Sequence, residues 1–389
     1  MKIKAILFII LLSLVSFTIK AQNSNAALSM MEQSQKLTIG GYGQIDYNQP
    51  LKAGYLSNGT LDVHRLVMLF GYKFTDKTQF ITEIELEHVK EVFVEQAFVN
   101  HRLLPGLNLR AGLMLVPMGL TNLYHEPTSF MGVERPNLDK YIAPTTWREI
   151  GIGVAGQIMT ASLKYELYVM NGVLSYNDGG TLRGVDGLRK GRQKGAKSLM
   201  SAPNLTGRLS YFGLSGLQLG VSGLFGHSQS NLFDGLDQTN EFALAQADST
   251  IVQVSMLGAD LRYTRKALKI KAQYYFAKLD NTAAYNDFVS TDLGSQMNGW
   301  YTELAYNVLH HFETDYQLFP FVRYEKYNTH KETDGDLAEN AAYDRTEITA
   351  GLSWYLSKGS VLKADIQFFK NGLTNNYTPQ MNFGVGVWF

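Results

Sequence analysis

The chain of 389 residues has no cysteine. That excludes a lipid-modified lipoprotein and a disulfide-stapled fold, and it suits transit through an oxidising compartment. Proline is scarce, at nine residues, while tyrosine and phenylalanine number 22 and 21. Charge of one sign is also lacking: basic and acidic residues are 35 each. Leaving out Lys2, Lys4 and Lys20 gives 32 against 35, or about −3, which excludes a strongly basic nucleic-acid binder. Beyond the N-terminus no apolar run reaches the length of a membrane helix, and the mean hydropathy is −0.13. A helical membrane protein is thereby excluded. A membrane β-barrel is not, because it hides its apolar residues in alternation.

What is present begins with Lys2 and Lys4 ahead of an apolar run from Ala5 to Phe17, with Ala21 as a small residue at a cleavage point. This is the pattern of a secretory signal peptide over residues 1–21. Residues 22–36 follow as a polar tail, too short for a plug domain. From Leu37 to Phe389, segments of about ten alternating residues recur, and about sixteen can be counted. The last one is the clearest. Met381, Phe383, Val385, Val387 and Phe389 share one parity, and Asn382, Gly384, Gly386 and Trp388 the other. An apolar face opposite a small or polar one is strand spacing, as expected of a closing strand with lipid on one side and a lumen on the other. It also resembles the C-terminal signal read by barrel assembly machinery.

Connections after even-numbered segments, such as Thr75–Lys77, Leu104–Gly106, Leu214–Gly216 and Lys358–Ser360, are a few residues long. Most after odd-numbered segments are longer. Short turns on one side and long loops on the other are the mark of a transmembrane antiparallel barrel in the bacterial outer membrane. Tyr72, Phe74, Phe80, Tyr211, Tyr263, Tyr306, Tyr316, Trp354 and Phe389 fall at the expected periplasmic ends, as an aromatic girdle requires. The segment Glu91–Arg102 fits least well, since Glu95 and Gln96 leave neither face clean.

A lone charge on the lipid face would cost roughly 2–4 kcal/mol near the midplane, so the charged parity must face the lumen. The inward bases are Arg65, Arg110, Lys164, Arg208, Arg262, Lys269, Lys271, Arg323 and Lys363. The inward acids are Glu83, Glu85, Glu87, Glu166, Asp260, Glu303, Glu325, Glu347 and Asp365. Opposed rows of these would set a transverse field that favours small polar solutes. The alternative is mutual neutralisation by ion pairs. The long segment Val116–Trp147 is apolar for a surface loop, and it makes sense folded into the lumen. Tyr124, His125, Glu126, Arg135, Asp139 and Lys140 would then line a constriction. A metal or acid–base reading of His125–Glu126 is disfavoured, and no metal or cofactor is expected. The basic segment Asn171–Pro203 carries Arg183, Arg189, Lys190, Arg192, Lys194 and Lys197 and reads as a solvated outer loop that could attract anions or lipopolysaccharide phosphates.

Several segments between Glu95 and Gly156 carry a resemblance. They are Glu95-Gln96-Ala97-Phe98-Val99, Leu109-Arg110-Ala111-Gly112, Val116-Pro117-Met118-Gly119, His125-Glu126-Pro127 and Pro144-Thr145-Thr146-Trp147-Arg148-Glu149-Ile150-Gly151. They resemble the Bacteroidetes porins related to the phosphate-selective porins O and P. The resemblance implies a sixteen-stranded, trimeric diffusion pore with its third loop inside. In the namesakes, selectivity for phosphate depends on a basic eyelet and a lysine-lined lumen. The inward charges here are mixed instead, with Glu83, Glu85 and Glu87 among them. The expected function is passive passage of small polar or anionic solutes, phosphate included. An adhesin or a solute-binding receptor is the alternative. An outer-membrane hydrolase is disfavoured, because no Ser/His or Asp/His constellation stands at suitable positions.

Overall fold

The computed structural model describes residues 30–374 and 376–389; the segment 1–21, expected to be a signal peptide, and most of the tail lie outside them. Sixteen antiparallel strands close into one barrel. In chain order they are β1 (Leu37–Pro50), β2 (Thr60–Lys73), β3 (Thr78–Glu87), β4 (Glu91–Leu104), β5 (Leu107–Leu115), β6 (Arg148–Ile158), β7 (Leu163–Met170) and β8 (Asn204–Leu214). The second half comprises β9 (Leu217–His227), β10 (Gln253–Arg265), β11 (Leu268–Asp280), β12 (Gln296–Tyr306), β13 (Gln317–Glu332), β14 (Asp344–Ser357), β15 (Ser360–Asn371) and β16 (Thr378–Trp388). Each strand pairs with its sequence neighbour, and β16 closes on β1 with Trp388 opposite Tyr42. Closure leaves no strand edge unpaired, which a membrane-spanning sheet requires.

Burial is inverted relative to a water-soluble protein. On β14, Leu352 and Trp354 are exposed while Glu347, Thr349 and Ser353 are buried. On β15, Leu362 is exposed while Lys363, Asp365 and Gln367 are buried. The exposed apolar band faces lipid and the polar parity faces inward, as the alternation requires. Tyr72, Phe74, Tyr306, Tyr316, Trp354 and Phe389 are exposed at the short-turn end. Tyr72 packs edge-on against Phe74 at 5.2 Å, and Tyr316 against Trp354 at 6.3 Å.

The irregular β4 has a physical cause. Glu83 pairs with Gln96, but its neighbour Ile84 pairs with Val94, so Glu95 is the extra residue of a β-bulge. Parity flips there, and both Glu95 and Gln96 turn inward and are buried.

Two loops fold into the barrel. The segment 116–147 carries two short helices, Leu120–Leu123 and Leu138–Tyr141. Its apolar residues Met118, Leu138, Ile142 and Trp147 join a cluster with the inward-facing Tyr275, Met297 and Tyr327. Room for this loop is built into the closing strand. A Cβ on Gly384 would stand 3.0 Å from Val133, and one on Gly386 2.9 Å from Pro127. The basic segment corrects the expectation of a solvated loop. Leu182 and Leu188 are fully buried in the same cluster, and the Leu188 N–H donates to the Tyr141 carbonyl at 3.0 Å. Two short strands, Leu174–Tyr176 and Gln229–Ser230, pair in parallel outside the barrel sheet. At the short-turn end, Met30 is buried and reaches Gly71 inside the barrel mouth.

Candidate solute-conducting constriction

The inner loop leaves the wall at a fixed neck. Val116 N–H donates to Trp147 O at 2.9 Å, and the Asn122 side chain clasps both sides. Its Nδ2 donates to Val116 O at 2.7 Å and Trp147 O at 3.0 Å, while its Oδ1 accepts from Trp147 N at 2.8 Å. Gly119 follows with φ of +71°, and a Cβ there would fall 1.6 Å from the Tyr275 hydroxyl. Only glycine fits both the left-handed backbone and that approach.

An irregular loop inside a barrel must find partners for its backbone. The wall charges supply them. Asp365 accepts from Val133 N at 2.7 Å, and Glu325 from Leu138 N at 3.1 Å. Lys363 donates to the carbonyls of Phe130 and Gly132, both at 2.8 Å. Lys271 donates to Ser129 O, Tyr355 to Thr128 O at 3.0 Å, and Arg323 to Glu134 O at 3.2 Å. Asp139 on the loop accepts from Thr121 at 2.5 Å and Tyr275 at 2.7 Å. Burial pushes its carboxyl up to about 6 against those two hydrogen bonds.

Most remaining inward bases face a carboxylate. Arg208 makes a two-pronged contact with Asp260 at 2.6 and 2.8 Å. Arg110 meets Glu166 at 3.1 Å, and Arg65 meets Glu85 at 3.5 Å. Arg323 meets Glu325 at 2.8 Å and Glu303 at 3.6 Å. Glu87 lies partly exposed, 4.0 Å from His88. Lys269 has no carboxylate partner among the described residues and lies 4.2 Å over the Phe319 ring. Arg262 likewise has none; it donates to Gln218 and stacks 3.8 Å over the Tyr124 ring.

Three cavities stand out among the described residues. One of about 390 Å³ opens at the short-turn end, lined by Lys77, Arg102, Arg110, Lys164 and Arg208 against Glu32, Asp76 and Glu166. One of about 680 Å³ lies toward the long loops, with Lys140, Arg345 and Lys370 against Glu134 and Glu347. There Tyr141 and Tyr327 stack at 5.7 Å, and Arg345 sits 4.5 Å over Tyr141. A narrow cavity of about 20 Å³ shares Tyr124 with the first and reaches Pro136, beside Asn137 of the second. Its charged residues are Arg262, Lys271 and Glu303. That volume holds about one water.

The loop residues named from sequence divide by place. Tyr124 lines the narrow and inner cavities, and Lys140 the outer one. His125, Glu126 and Asp139 are buried and line none of the three. Arg135 is half-buried and donates to His125 O at 2.7 Å. Sequence reasoning missed Tyr42, Glu95 and Arg148 around His125, and Arg345 at the outer mouth. The Glu95–Gln96 break in alternation was the one available signal for the bulge.

The family model for phosphate-selective porin O and P matches residues 37–382. The chain belongs to that family. This porin is 30% identical over 349 residues to an uncharacterized protein of Aquifex aeolicus (strain VF5), covering 87% of this chain and 77% of that one. Among solved structures it is similar to the outer membrane channel DcaP of Acinetobacter baumannii, with TM-score 0.57, 10% identity and coverage of 91% and 97%. It is also similar to the anion-selective porin of Comamonas acidovorans, with TM-score 0.56, 12% identity and coverage of 91% and 99%. At these identities the likeness is one of fold. The sixteen-stranded barrel and the family membership make the protein a passive channel of the outer membrane.

Proposed function

We propose that the porin favours small anionic solutes, inorganic phosphate among them, over cations. The observation that carries this reading is that bases outnumber acids in all three cavities, although the chain as a whole is balanced. Cavity walls of one sign raise the local concentration of the opposite ion. Arg262 and Lys271 set the selectivity at the narrow section, against Glu303. Arg262 carries the larger share, because no carboxylate cancels it. Lys269, Arg110 and Arg208 contribute from further away, the last two weakened by Glu166 and Asp260. A 20 Å³ gap passes a hydrated anion only when the long side chains of Arg262 and Tyr124 swing apart.

The family name and the anion-selective neighbour support this reading. So does OmpT of Vibrio cholerae, at TM-score 0.52, solved in a trimer form, for a homotrimer. Lipopolysaccharide around the barrel and the assembly machinery at β16 complete the expected partners. Reversal potential in planar bilayers under a KCl gradient tests the selectivity. The expected sign is that of an anion-preferring pore, moving toward zero in Arg262→Ala and Lys271→Ala. A cation-preferring wild type sinks the proposal.

A further inference from the structure

The group around His125 takes no part in lining the channel, yet its titratable side chains are deeply enclosed. Glu83 comes from β3, Glu95 from the bulge of β4, and His125 from the inner loop. All three are at most 2% exposed. Their donor atoms lie within 4.8 Å of one another. His125 Nε2 is 3.4 Å from Glu83 Oε1 and 3.3 Å from Glu95 Oε2.

Those two distances decide between readings. A charged N–H donating to a carboxylate closes to about 2.7–2.9 Å. Here the gap is wider, and Nε2 has no hydrogen-bond partner despite its burial. Two ligands on one tetrahedral zinc at about 2.0–2.1 Å are separated by roughly 3.3 Å. The spacing matches the edge of such a tetrahedron.

The surroundings fit as well. His125 Nδ1 lies 3.0 Å from the Asn122 carbonyl, so Nδ1 carries the hydrogen and Nε2 presents its lone pair to the cluster. Gln96 Nε2 donates to Glu83 Oε2 at 2.6 Å, and Arg148 lies 3.7 Å from Glu95 Oε1. Gln96 thus holds the outer oxygen of Glu83, the outer oxygen of Glu95 faces the Arg148 charge without a hydrogen bond, and the inner oxygens are turned to His125. Tyr42 OH donates to Glu83 Oε1 at 2.7 Å and stands 3.3 Å from Glu95 Oε2, over the remaining side of the group.

We propose that Glu83, Glu95 and His125 form a binding site for one divalent transition cation, zinc by donor set and spacing. One nitrogen and two oxygens suit zinc or manganese more than a soft ion such as Cu(I). The ion bridges two wall strands to the inner loop, three residues past the Asn122 neck, and clips that loop to the wall. On binding, the Nε2 lone pair coordinates the ion while Nδ1 keeps its hydrogen on the Asn122 carbonyl.

The test uses the refolded full-length mature porin, incubated with zinc, passed over a desalting column and assayed for metal by mass spectrometry. About one zinc per chain is expected in the wild type. That zinc is lost in His125→Gln and in Glu95→Gln, and kept in His310→Gln, whose ring lies in a turn. Cobalt(II) in place of zinc should give the visible absorption bands of a low-symmetry four-coordinate site, absent in Glu95→Gln. Glu95→Gln keeps volume and hydrogen bonding, and its heat-modifiable mobility on gels reports whether the barrel has closed. A closed wild-type barrel that retains no more zinc than the closed Glu95→Gln barrel overturns the proposal. So does zinc that disappears with His310 instead.

Discussion

Two loops enter this barrel, and they do so by different means. The loop 116–147 is apolar in sequence, and the wall holds its backbone by many polar side chains. The loop 171–203 is basic in sequence, and side chains of other loops and strand ends hold its backbone: Asp292 accepts from Gly184 N at 3.0 Å, Glu149 from Gln193 N at 3.2 Å, and Arg345 donates to Val185 O at 3.0 Å. Leu182 and Leu188 bury fully, and Tyr285 holds the first of them, accepting from Leu182 N at 3.0 Å and donating to Ser175 O at 2.8 Å. Its Arg192 turns inward, to Thr145 O and Thr146 Oγ1 of the other loop. The lesson is that a charged loop can dock when apolar side chains anchor it and its backbone finds polar partners. Net charge alone is a poor guide to which loops stay outside.

The comparison can be broken most violently by removing the first loop. Its ends are hydrogen-bonded at Val116 and Trp147, so a short turn can replace residues 118–145 without disturbing β5 or β6. Single-channel conductance should rise severalfold, and far more than after deletion of residues 178–198. Equal increments would show that the second loop, not the first, sets the constriction. Next in size, Leu182→Ala and Leu188→Ala should each weaken docking of the basic loop by about 2–5 kcal/mol. Trypsin cleavage at Arg189 and Lys190 would report it, with the barrel itself intact.

A smaller effect concerns acid. The Asp139 carboxyl titrates at about 6 in the docked loop and at its ordinary 3.8 when released. Between those values the docked loop holds a proton that the released loop gives up. Docking is therefore strongest below about 3.8 and loses on the order of 3 kcal/mol as pH rises through 6. Protease protection of the inner loop should be greater at pH 4.5 than at pH 7, and Asp139→Asn should flatten that difference. The most local change is Gly119→Ala. It places a methyl against the Tyr275 hydroxyl and should cost about 1–3 kcal/mol, read as noisier open-channel current.

Much of the barrel was legible because a period of two, sustained over ten residues, fits little besides a strand with two unlike faces. Strand number and facing both follow from it, as β14 and β15 show. The bulge at Glu95 was visible only as a defect in the pattern, since parity cannot say which way an extra residue turns. Inward direction of Lys363, Asp365 and Glu325 was readable, but their partners were not. Those partners are backbone groups of a loop about 190 to 230 residues away in sequence, and backbone atoms leave no signature there. Shorter separations, of 12, 30 and 42 residues, were still enough to hide the meeting of Glu83, Glu95 and His125. Residues 171–203 misled because six cations dominate their composition, while only Leu182 and Leu188 of four leucines bury fully.

Gly384 and Gly386 have a consequence for the order of assembly. The seat they leave for Val133 and Pro127 belongs to the final strand, and Val133 also needs Asp365 on the strand before it. A chain whose last hairpin has not yet formed has no seat for the middle of its inner loop. The channel therefore becomes narrow there only once the last two strands of the barrel are in place.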